Sequence, residues 1–457
     1  MPVTLRPLRV EFARTPCRTR LPFRFGAVTV TAADLLTCRV RARGAEGAEA
    51  DGWSADLLVP RWFRKDVERS PAADAEALAG SAAEAAKAFV AAGEGTAAAL
   101  VQTVFDNRVG SQSADAPDLL ERGFGVALVE RALLDAACRM AGVSFVEALR
   151  RDLFGAGPWT RAPRPTIAVR HTVGMLDPLR AREVPPDQRV DDGLPQALDE
   201  DVAAYGLHWF KIKIGAGFAA DRARLLQIAA LLAELDVDAR ITLDGNEQFN
   251  HLTELAELLE ALHTEPDGER LLGRLQFVEQ PLPRARTFDA EANRGGSRVR
   301  AFAPLILDEA DALPEHFTRA AAIGWTGISV KNCKGVLRAL AAARLCAERH
   351  GALFQSGEDL TNLPVLALQQ DLCTAAALGL AHVERNGHHY FRGLGHLPPA
   401  AQAAALAAHP DLYRPLGSGA ALRITDGHLR LSTALAARGY GHDLGGHAEN
   451  FITVAEA

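Results

Sequence analysis

From residue 166 onward, short apolar segments alternate with segments of helical periodicity, and this alternation constrains the fold more than any other feature of the chain. Apolar strands separated by helical patterns are typical of a parallel sheet built from βαβ units. The segments predicted to be strands are 166–173, 209–214, 240–243, 276–278, 304–307, 327–330, 352–355 and 381–383. Eight such strands, alternating with helices over about 220 residues, predict a closed (β/α)8-type barrel.

The N-terminal third of the chain has a different pattern. Apolar and polar residues alternate with period two in segments of the first 60 residues, as they do in half-buried strands. Residues 71–104 are Ala-rich, and 116–149 carry apolar residues at helical spacing. The predicted domains are an α+β capping domain over 1–150, the barrel over 151–400, and a C-terminal segment over 401–457 that packs back on the capping domain.

Three further stretches receive an interpretation from the sequence. A hairpin-like pair, 422–426 and 427–432, is expected to make the return to the first domain. The stretches 266–274 and 284–300 are expected to be surface loops or insertions.

Composition and charge exclude several classes of protein. Fifty Lys and Arg against 57 Asp and Glu give a net charge of −7, and the sequence contains no basic patch of the kind that binds nucleic acid. No apolar run approaches the roughly 18 residues of a membrane span. The six cysteines form no CxxC pair, and the first 25 residues lack the apolar core of a signal peptide. We therefore expect a globular protein of the reducing cytoplasm, without a nucleic-acid or membrane partner.

Charged residues lie at the ends of five consecutive predicted barrel strands. They are Lys211 and Lys213 on strand two, Asp244 on strand three, Glu279 on strand four, Asp308 on strand five, and Lys331 just after strand six. From Lys213 to Lys331, successive members are 23 to 35 residues apart, which is about one βα repeat. These residues are therefore expected to lie in one layer at the C-terminal face of the barrel, where the active sites of such barrels lie.

This set of residues predicts a metal site with acid/base groups beside it. Three carboxylates at one point repel each other, and a divalent cation between them makes the arrangement tolerable; oxygen ligands favour Mg²⁺, or Mn²⁺, over zinc. Burial and nearby positive charge would lower the pKa of the two flanking lysines towards neutrality, so that they could move protons. A metal that holds a substrate carboxylate would stabilise the enediolate left when the α-proton is removed.

The same residues lie in a set of motifs that resembles a known family. The motifs are FKIK at 210–213, LDGN at 243–246, FVEQPL at 277–282, LDE at 307–309 and SVK at 329–331. Together they resemble the enolase superfamily, in its mandelate racemase/muconate lactonizing enzyme branch. Lys331 after strand six, and the absence of a His from the end of strand seven, resemble the muconate-lactonizing subgroup. This resemblance implies a modified (β/α)7β barrel with an N-terminal capping domain.

The resemblance also implies a role for each residue. Asp244, Glu279 and Asp308 would bind Mg²⁺, Lys213 and Lys331 would be the acid/base pair on opposite faces of the substrate, and Lys211 would lie behind Lys213 and lower its pKa. Asn246 and Glu309 would orient the metal ligands. Arg24, in the capping domain, would contact an anionic distal group. Strand eight departs from the family pattern, and Glu384 there would contact a polar group of the substrate or, if protonated, a developing oxyanion.

Several outcomes of the reaction remain open at this stage. The prediction is an enzyme that removes the α-proton of a small carboxylic acid and gives racemisation, epimerisation or cycloisomerisation; a syn-dehydration is the alternative. A non-catalytic protein that binds metal and ligand, and a metal-dependent hydrolase, are the competing classes. We also expect a homo-oligomer. Among the histidines, His388 and His389 are expected to lie in an exposed loop, and His171 in the core or at the rim of the barrel.

Overall fold

The computed structural model describes residues 1–25, 28–66, 68–443 and 451–457. Its first part consists of an antiparallel sheet covered by helices. The elements are β1 (Thr4–Phe25), β2 (Val28–Gly44), β3 (Glu49–Leu57), α1 (Pro71–Ala91), β4 (Gly95–Thr96), α2 (Ala97–Phe105), α3 (Leu119–Ala141) and α4 (Phe145–Arg150). β2 lies between β1 and β3 and pairs antiparallel with both.

Local sequence signals set the ends of the capping helices. Ser70 caps α1, with its side chain accepting a hydrogen bond from the Ala73 amide, and Thr96 caps α2 in the same way. α3 crosses β3 so closely that a Cβ at Gly52 would lie 1.9 Å from the Ala132 carbonyl oxygen. Glycine is therefore required there, because any side chain would force the helix off the sheet.

The eight predicted barrel strands are all present, and most of their bounds agree within two residues. They are β5 (Thr166–Val173), β6 (Trp209–Lys213), β7 (Arg240–Asp244), β8 (Leu275–Glu279), β9 (Leu305–Leu307), β10 (Gly327–Val330), β11 (Phe354–Gly357) and β12 (His382–Arg385). Each strand is parallel to the next, and β12 pairs with β5, so the sheet closes on itself. The fold class expected from the sequence is confirmed: a closed barrel with an N-terminal capping domain.

Helices surround the barrel, and two of them correct the expectation of surface loops. The helices are α5 (Leu198–Tyr205), α6 (Phe218–Glu234), α7 (Leu252–His263), α8 (Pro266–Leu272), α9 (Gly296–Arg300), α10 (Glu315–Ala322), α11 (Val336–Glu348), α12 (Leu366–Leu378) and α13 (Gly387–Tyr390). α8 lies within the predicted loop 266–274, and α9 within 284–300. Each is short and buries only two or three residues, so periodicity could not reveal it.

The C-terminal part corrects a second expectation. Its elements are α14 (Pro399–Ala408), β13 (Tyr413–Leu416), β14 (Gly419–Leu422), β15 (His428–Arg430), α15 (Ser432–Ala436) and β16 (Ile452–Glu456). The expected hairpin at 422–432 does not return to the capping domain, because β15 pairs antiparallel with barrel strand β5. The strand that reaches the capping sheet is β16, which pairs with β1. An alternating pattern indicates a strand but not its partner, which explains the error. The domain boundaries at 150 and 400 stay a prediction.

Within the described ranges, no helix combines the length and apolarity needed to cross a membrane.

Candidate active site

Three carboxylates lie together at the C-terminal mouth of the barrel. Asp244 ends β7, Glu279 ends β8, and Asp308 directly follows β9. Asp244 and Glu279 are paired in register across the two strands. All three side chains are completely buried. The three carboxylates therefore lie together because their strands are neighbours and parallel, as their spacing in the sequence predicted.

A lysine contacts the carboxylates from each side of the mouth. Lys213 Nζ lies 2.6 Å from Asp244 Oδ2, and Lys331 Nζ lies 2.6 Å from Asp308 Oδ2. Lys213 ends β6, and Lys331 follows β10. These strands are four apart in a closed ring of eight, so the two ammonium groups approach from opposite sides.

Lys211 lies one pleat deeper in the barrel than Lys213. Its Nζ atom contacts four carboxylates, at 2.7 Å from Glu279 Oε2, 2.8 Å from Glu358 Oε2, 2.8 Å from Glu384 Oε2 and 3.0 Å from Asp244 Oδ2. Lys211 and Lys213 thus share one oxygen of Asp244, and their ammonium groups are close neighbours.

The electrostatics of two lysines differ from the expectation. Burial lowers the pKa of Lys331, but the carboxylate of Asp308 outweighs it, and the pKa is raised above the usual value. The pKa of Lys211 is raised well above its usual value for the same reason, with Asp244 and Glu279 as the largest opposing contributions. The prediction that the pKa of Lys331 falls towards neutrality is therefore wrong for the protein chain alone. It counted the neighbouring positive charges but not the carboxylates, which approach more closely.

Glu279 provides a test of whether a cation fits this position. Both of its carboxylate oxygens are buried, and neither accepts an aligned hydrogen bond from the described residues, although Oε2 is in ionic contact with Lys211 Nζ at 2.7 Å. Burial raises the pKa of Glu279 well above its usual value, and the neighbouring Asp244 raises it further. A buried carboxylate without donors is unfavourable, by about 1–3 kcal/mol or more. Three buried oxygen ligands with an unsatisfied member fit the preference of Mg²⁺ for carboxylates.

Further polar groups hold the metal-ligand candidates in place. The Asn246 amide N–H donates to Asp244 Oδ1 at 2.9 Å, and its side chain donates to Glu309 Oε1 at 3.3 Å. Ser329 Oγ donates to Asp308 Oδ1 at 2.5 Å. Burial, together with the nearby charge of Asp308, raises the pKa of Glu309 to about 7.

Three residues of this site were not among the sequence candidates. Glu358 directly follows the seventh barrel strand, contacts Lys211 and is paired with Arg170. Lys334 donates to Ser329 Oγ at 2.6 Å from the turn after β10. The ring of Trp62, from the capping domain, lies 4.4 Å from Lys331 Nζ. Position at a strand end could have identified Glu358, whereas no signal in the sequence connects Trp62 with a lysine 269 residues later.

A small cavity of about 30 Å³ lies above the carboxylates, between the capping domain and the barrel. The capping domain lines it with apolar side chains, namely Phe23, Phe25, Val59 and Trp62, and the barrel with Lys213, Asn246, Lys331, Asp359, Leu360, Thr361, Glu384 and Asn386. Arg24 is not among these lining residues, although its two neighbours are. Its role as an anion contact stays a prediction.

Glu384 points into the barrel and is fully engaged there. Its Oε1 atom accepts a hydrogen bond from Thr172 Oγ1 at 2.7 Å. Its Oε2 atom accepts from Lys211 Nζ at 2.8 Å and from the Asp359 amide at 3.0 Å. Both oxygens of this strand-eight carboxylate are thus bound by the protein itself.

The two adjacent histidines are not exposed. His388 and His389 lie in α13, and both are buried, which contradicts the expected exposed loop. The segment after strand eight forms a short helix that packs inwards, and four residues are too few for a recognisable helical period. His171 is buried beside them, as expected of a core histidine.

Comparison with known proteins identifies the family. Residues 194–444 match the family model described as the enolase C-terminal domain-like domain. The chain belongs to the enolase superfamily, in its mandelate racemase/muconate lactonizing enzyme family. No curated protein matches the sequence significantly.

Solved structures of this superfamily have the same fold at low sequence identity. An enolase from Bradyrhizobium, complexed with magnesium and mandelic acid, is 20% identical, with a TM-score of 0.61 and coverage of 97% of this chain and 96% of that chain. The muconate lactonizing enzyme from Pseudomonas fluorescens, complexed with muconolactone, is 19% identical, with a TM-score of 0.58 and coverage of 96% and 97%. A dipeptide epimerase from Cytophaga hutchinsonii, complexed with Mg and D-Ala-L-Val, is 16% identical, with a TM-score of 0.55 and coverage of 85% and 88%.

Proposed function

We propose that this enolase-superfamily member is a Mg²⁺-dependent enzyme that removes the proton α to the carboxylate of a small organic acid. The observation that carries the proposal is the placement of Lys213 and Lys331 on opposite sides of three buried carboxylates. The comparisons support this reaction class, because the similar structures include a muconate lactonizing enzyme and a dipeptide epimerase; the epimerase and the Bradyrhizobium enolase are complexed with magnesium.

Each residue of the site has a role in the proposal. Asp244, Glu279 and Asp308 would hold the cation. When bound, the ion supplies positive charge next to the substrate carboxylate and so stabilises the negative charge that develops as the α-proton leaves. One of the two opposed lysines would accept that proton, and the other would donate a proton to the opposite face of the same carbon.

This two-sided arrangement favours racemisation or epimerisation over a one-sided elimination. Delivery of a proton to the opposite face requires a donor on that face, and a lysine lies at each side of the mouth. In cycloisomerisation or syn-dehydration, by contrast, one lysine moves protons and the other only contributes charge. The stereochemistry of exchange therefore distinguishes these outcomes.

The lining of the cavity supports a substrate with an apolar distal part and without an ammonium group. Phe23, Phe25 and Trp62 present aromatic rings to it from the capping domain. On the barrel side, Glu384 has both oxygens occupied by protein donors, and Arg385 is buried in ion pairs with Asp359 and Asp371. A dipeptide ammonium would thus find no free carboxylate at the end of strand eight.

The test is exchange of the substrate α-proton with solvent in D₂O, followed by NMR with Mg²⁺ present. A panel of N-acyl amino acids, 2-hydroxy acids, sugar acids and cyclic dienoates covers the relevant acids. We expect deuterium to enter at least one compound, and chelator to abolish the exchange. Lys213→Ala and Lys331→Ala should each lower the rate, whereas Lys87→Ala, on the exposed face of α1, should not.

The competing candidate is a protein that binds metal and ligand without catalysis. It predicts normal Mg²⁺ affinity and ligand binding without exchange in any acid of the panel. A failure to bind Mg²⁺ at all would contradict both candidates. The expected homo-oligomer is checked separately, by light scattering of the purified protein.

A further inference from the structure

A second group of buried polar side chains lies on the outer side of the barrel wall. It consists of His171 on β5, Asp201 on α5, and His388 and His389 on α13, and is called the histidine cluster below. The side chains next to His171 on β5 point the other way, into the barrel, where Thr172 donates to Glu384. Alternation along the strand therefore separates this cluster from the carboxylate site.

The distances within the histidine cluster are short. His171 Nδ1 and His388 Nε2 are 3.0 Å apart, and His389 Nδ1 is 2.9 Å from Asp201 Oδ2. His171 Nε2 lies 3.7 Å from the same Asp201 oxygen. One donor atom each from His171, Asp201 and His388 can be chosen so that all three lie within 4.8 Å of one another. Ligands of a single ion with bonds of about 2.1 Å are separated by similar distances.

The cluster is closed to solvent and poorly satisfied. The exposed fractions are 2% for His171, 0% for Asp201, 6% for His388 and 1% for His389. Within the part of the chain that the structure describes, neither oxygen of Asp201 has a hydrogen-bond partner, and neither do the Nδ1 of His388 and both ring nitrogens of His389. The 2.9 Å approach of His389 to Asp201 is thus a contact without hydrogen-bond alignment. Buried polar atoms left in this state are costly, and a shared cation could be bound by an Asp201 oxygen together with one ring nitrogen of each histidine.

We infer that the histidine cluster binds a divalent transition-metal ion, with His171, His388 and Asp201 as ligands and His389 as a fourth donor. Imidazole nitrogens with one carboxylate suit Zn²⁺, Co²⁺ or Ni²⁺ and not Mg²⁺, which prefers oxygen ligands and keeps much of its water. This ion would be distinct from the Mg²⁺ proposed at the barrel mouth, and the inference does not depend on the proposed reaction.

The charges around the cluster are compatible with a cation. Burial lowers the pKa of His171 to about 4 and that of His388 well below its usual value, so these donors are unprotonated near neutral pH. Asp201 stays ionised, because the neighbouring imidazoles of His389 and His171 outweigh its burial and lower its pKa to about 2. The nearby guanidinium of Arg20 is paired with Asp192 and donates to the His389 carbonyl oxygen, so its charge is compensated.

The alternative is that a proton on His389, and not a metal ion, balances the charge of Asp201. Burial lowers the pKa of His389, but Asp201 outweighs it and the pKa is raised, so a protonated His389 could balance the carboxylate alone. That arrangement leaves His388 Nδ1 without a partner. A small void of about 20 Å³ is bordered by His388 together with Leu194, Tyr205 and Pro364.

An ion at the histidine cluster would link three elements, α13, β5 and α5. α13 also contains Tyr390, and the ring of Phe23 stacks on the Tyr390 ring at a centroid distance of 4.1 Å. Phe23 also lines the cavity above the carboxylates. The ion would therefore fix the surface on which this part of the capping domain rests.

The test uses the full-length protein, freed of metal with a chelator and then given an excess of Mg²⁺ to occupy the barrel mouth. Co²⁺ is added as the probe, and its binding is followed by equilibrium dialysis and by its visible absorption, which reports nitrogen ligands. We expect one Co²⁺ per chain, displaced by Zn²⁺. His388→Gln and Asp201→Asn should weaken this binding at least tenfold.

Two controls locate the ion. Glu279→Gln, at the barrel mouth, should keep full Co²⁺ binding. His428→Gln should also keep full Co²⁺ binding. His428 belongs to another histidine pair, in which its ring centroid lies 5.1 Å from that of His208. The inference fails if Co²⁺ does not bind under excess Mg²⁺, or if His388→Gln binds it as the unmodified protein does.

A measurement on the unmodified chain covers the case in which the cluster variants fail to fold. Stoichiometric Zn²⁺, added over excess Mg²⁺, should raise the thermal unfolding midpoint by several degrees, because it binds the folded state only. Ca²⁺ at the same concentration should not. No shift with Zn²⁺ would overturn the inference by itself, whatever the variants do.

Discussion

The carboxylate site and the histidine cluster lie on opposite sides of the same barrel wall, and they balance charge in different ways. Inside the barrel, the ammonium group of Lys211 contacts four carboxylates, and further lysines neutralise Asp244 and Asp308. Outside, the ionic contacts of Asp201 among the described residues are with the imidazole rings of His171 and His389. The barrel mouth thus contains lysine ammonium groups in positions suited to moving protons. The histidine cluster contains metal-binding nitrogen and oxygen atoms without a lysine or arginine from the described ranges paired to its carboxylate. The first arrangement suits chemistry, and the second suits a structural ion.

The largest expected effect comes from Glu279→Gln. It removes a metal-ligand candidate whose oxygens accept no aligned hydrogen bond from the described residues and whose Oε2 is in ionic contact with Lys211. We expect α-proton exchange to become undetectable and Mg²⁺ affinity to fall, measured by NMR and by calorimetry. The unfolding temperature of the metal-free variant should change little, because Lys211 keeps three other carboxylate partners, Asp244, Glu358 and Glu384. A variant that kept exchange would remove Glu279 from the reaction site.

The second prediction separates the two lysines. Lys213→Ala and Lys331→Ala should each lower exchange by about 10²–10⁴-fold, as for loss of a general acid or base, while Mg²⁺ affinity stays nearly unchanged. If the enzyme is a racemase or epimerase, each variant should lose exchange from one stereoisomer of the substrate more than from the other. Equal losses for both stereoisomers in both variants would contradict the assignment of one face to each lysine.

The third prediction is an opposite pH dependence of stability in the two regions of the metal-free protein. The pKa of His171 is lowered from 6.5 to about 4, so its contribution is present above pH 6.5 and is lost as the pH falls through 4. The pKa of Glu309 is raised from 4.5 to about 7, so its contribution is present below pH 4.5 and is lost as the pH rises through 7. Each shift corresponds to about 3 kcal/mol at most.

Chemical denaturation between pH 4 and 8 measures both slopes. His171→Gln should flatten the loss of stability on the acid side, and Glu309→Gln the loss on the neutral-to-alkaline side. A variant that alters the opposite side of the profile would show that the two regions are not independent.

The smallest expected effect is that of Trp62→Leu. The Trp62 ring lies 4.4 Å from Lys331 Nζ, and a cation–π contact of this kind is worth about 0.5–2 kcal/mol. We expect exchange to fall about tenfold, with Trp62→Phe closer to the unmodified rate. An equal loss in both variants would indicate that Trp62 acts through packing alone.

The sequence predicted the barrel and the placement of its mouth residues because both depend on a repeating spacing. Asp244, Glu279 and Asp308 end consecutive strands, so closure of the barrel brings them together whatever the helices do. Trp62 lies in another domain, and no period connects it to Lys331. The expected exposure of His388 and His389 is wrong because the four-residue helix α13, too short to show a helical period in the sequence, buries both side chains.

The pairing of β16 with β1 has a consequence for how the chain is made. Arg9 aligns with Glu456 in this pair, so the interaction joins positions 447 residues apart. During translation, this edge of β1 stays without its partner strand until Ile452–Glu456 have left the ribosome. An open strand edge invites pairing with other chains, so this protein is vulnerable to aggregation for most of its synthesis. Loss of the last few residues would prolong that vulnerable state into the finished protein.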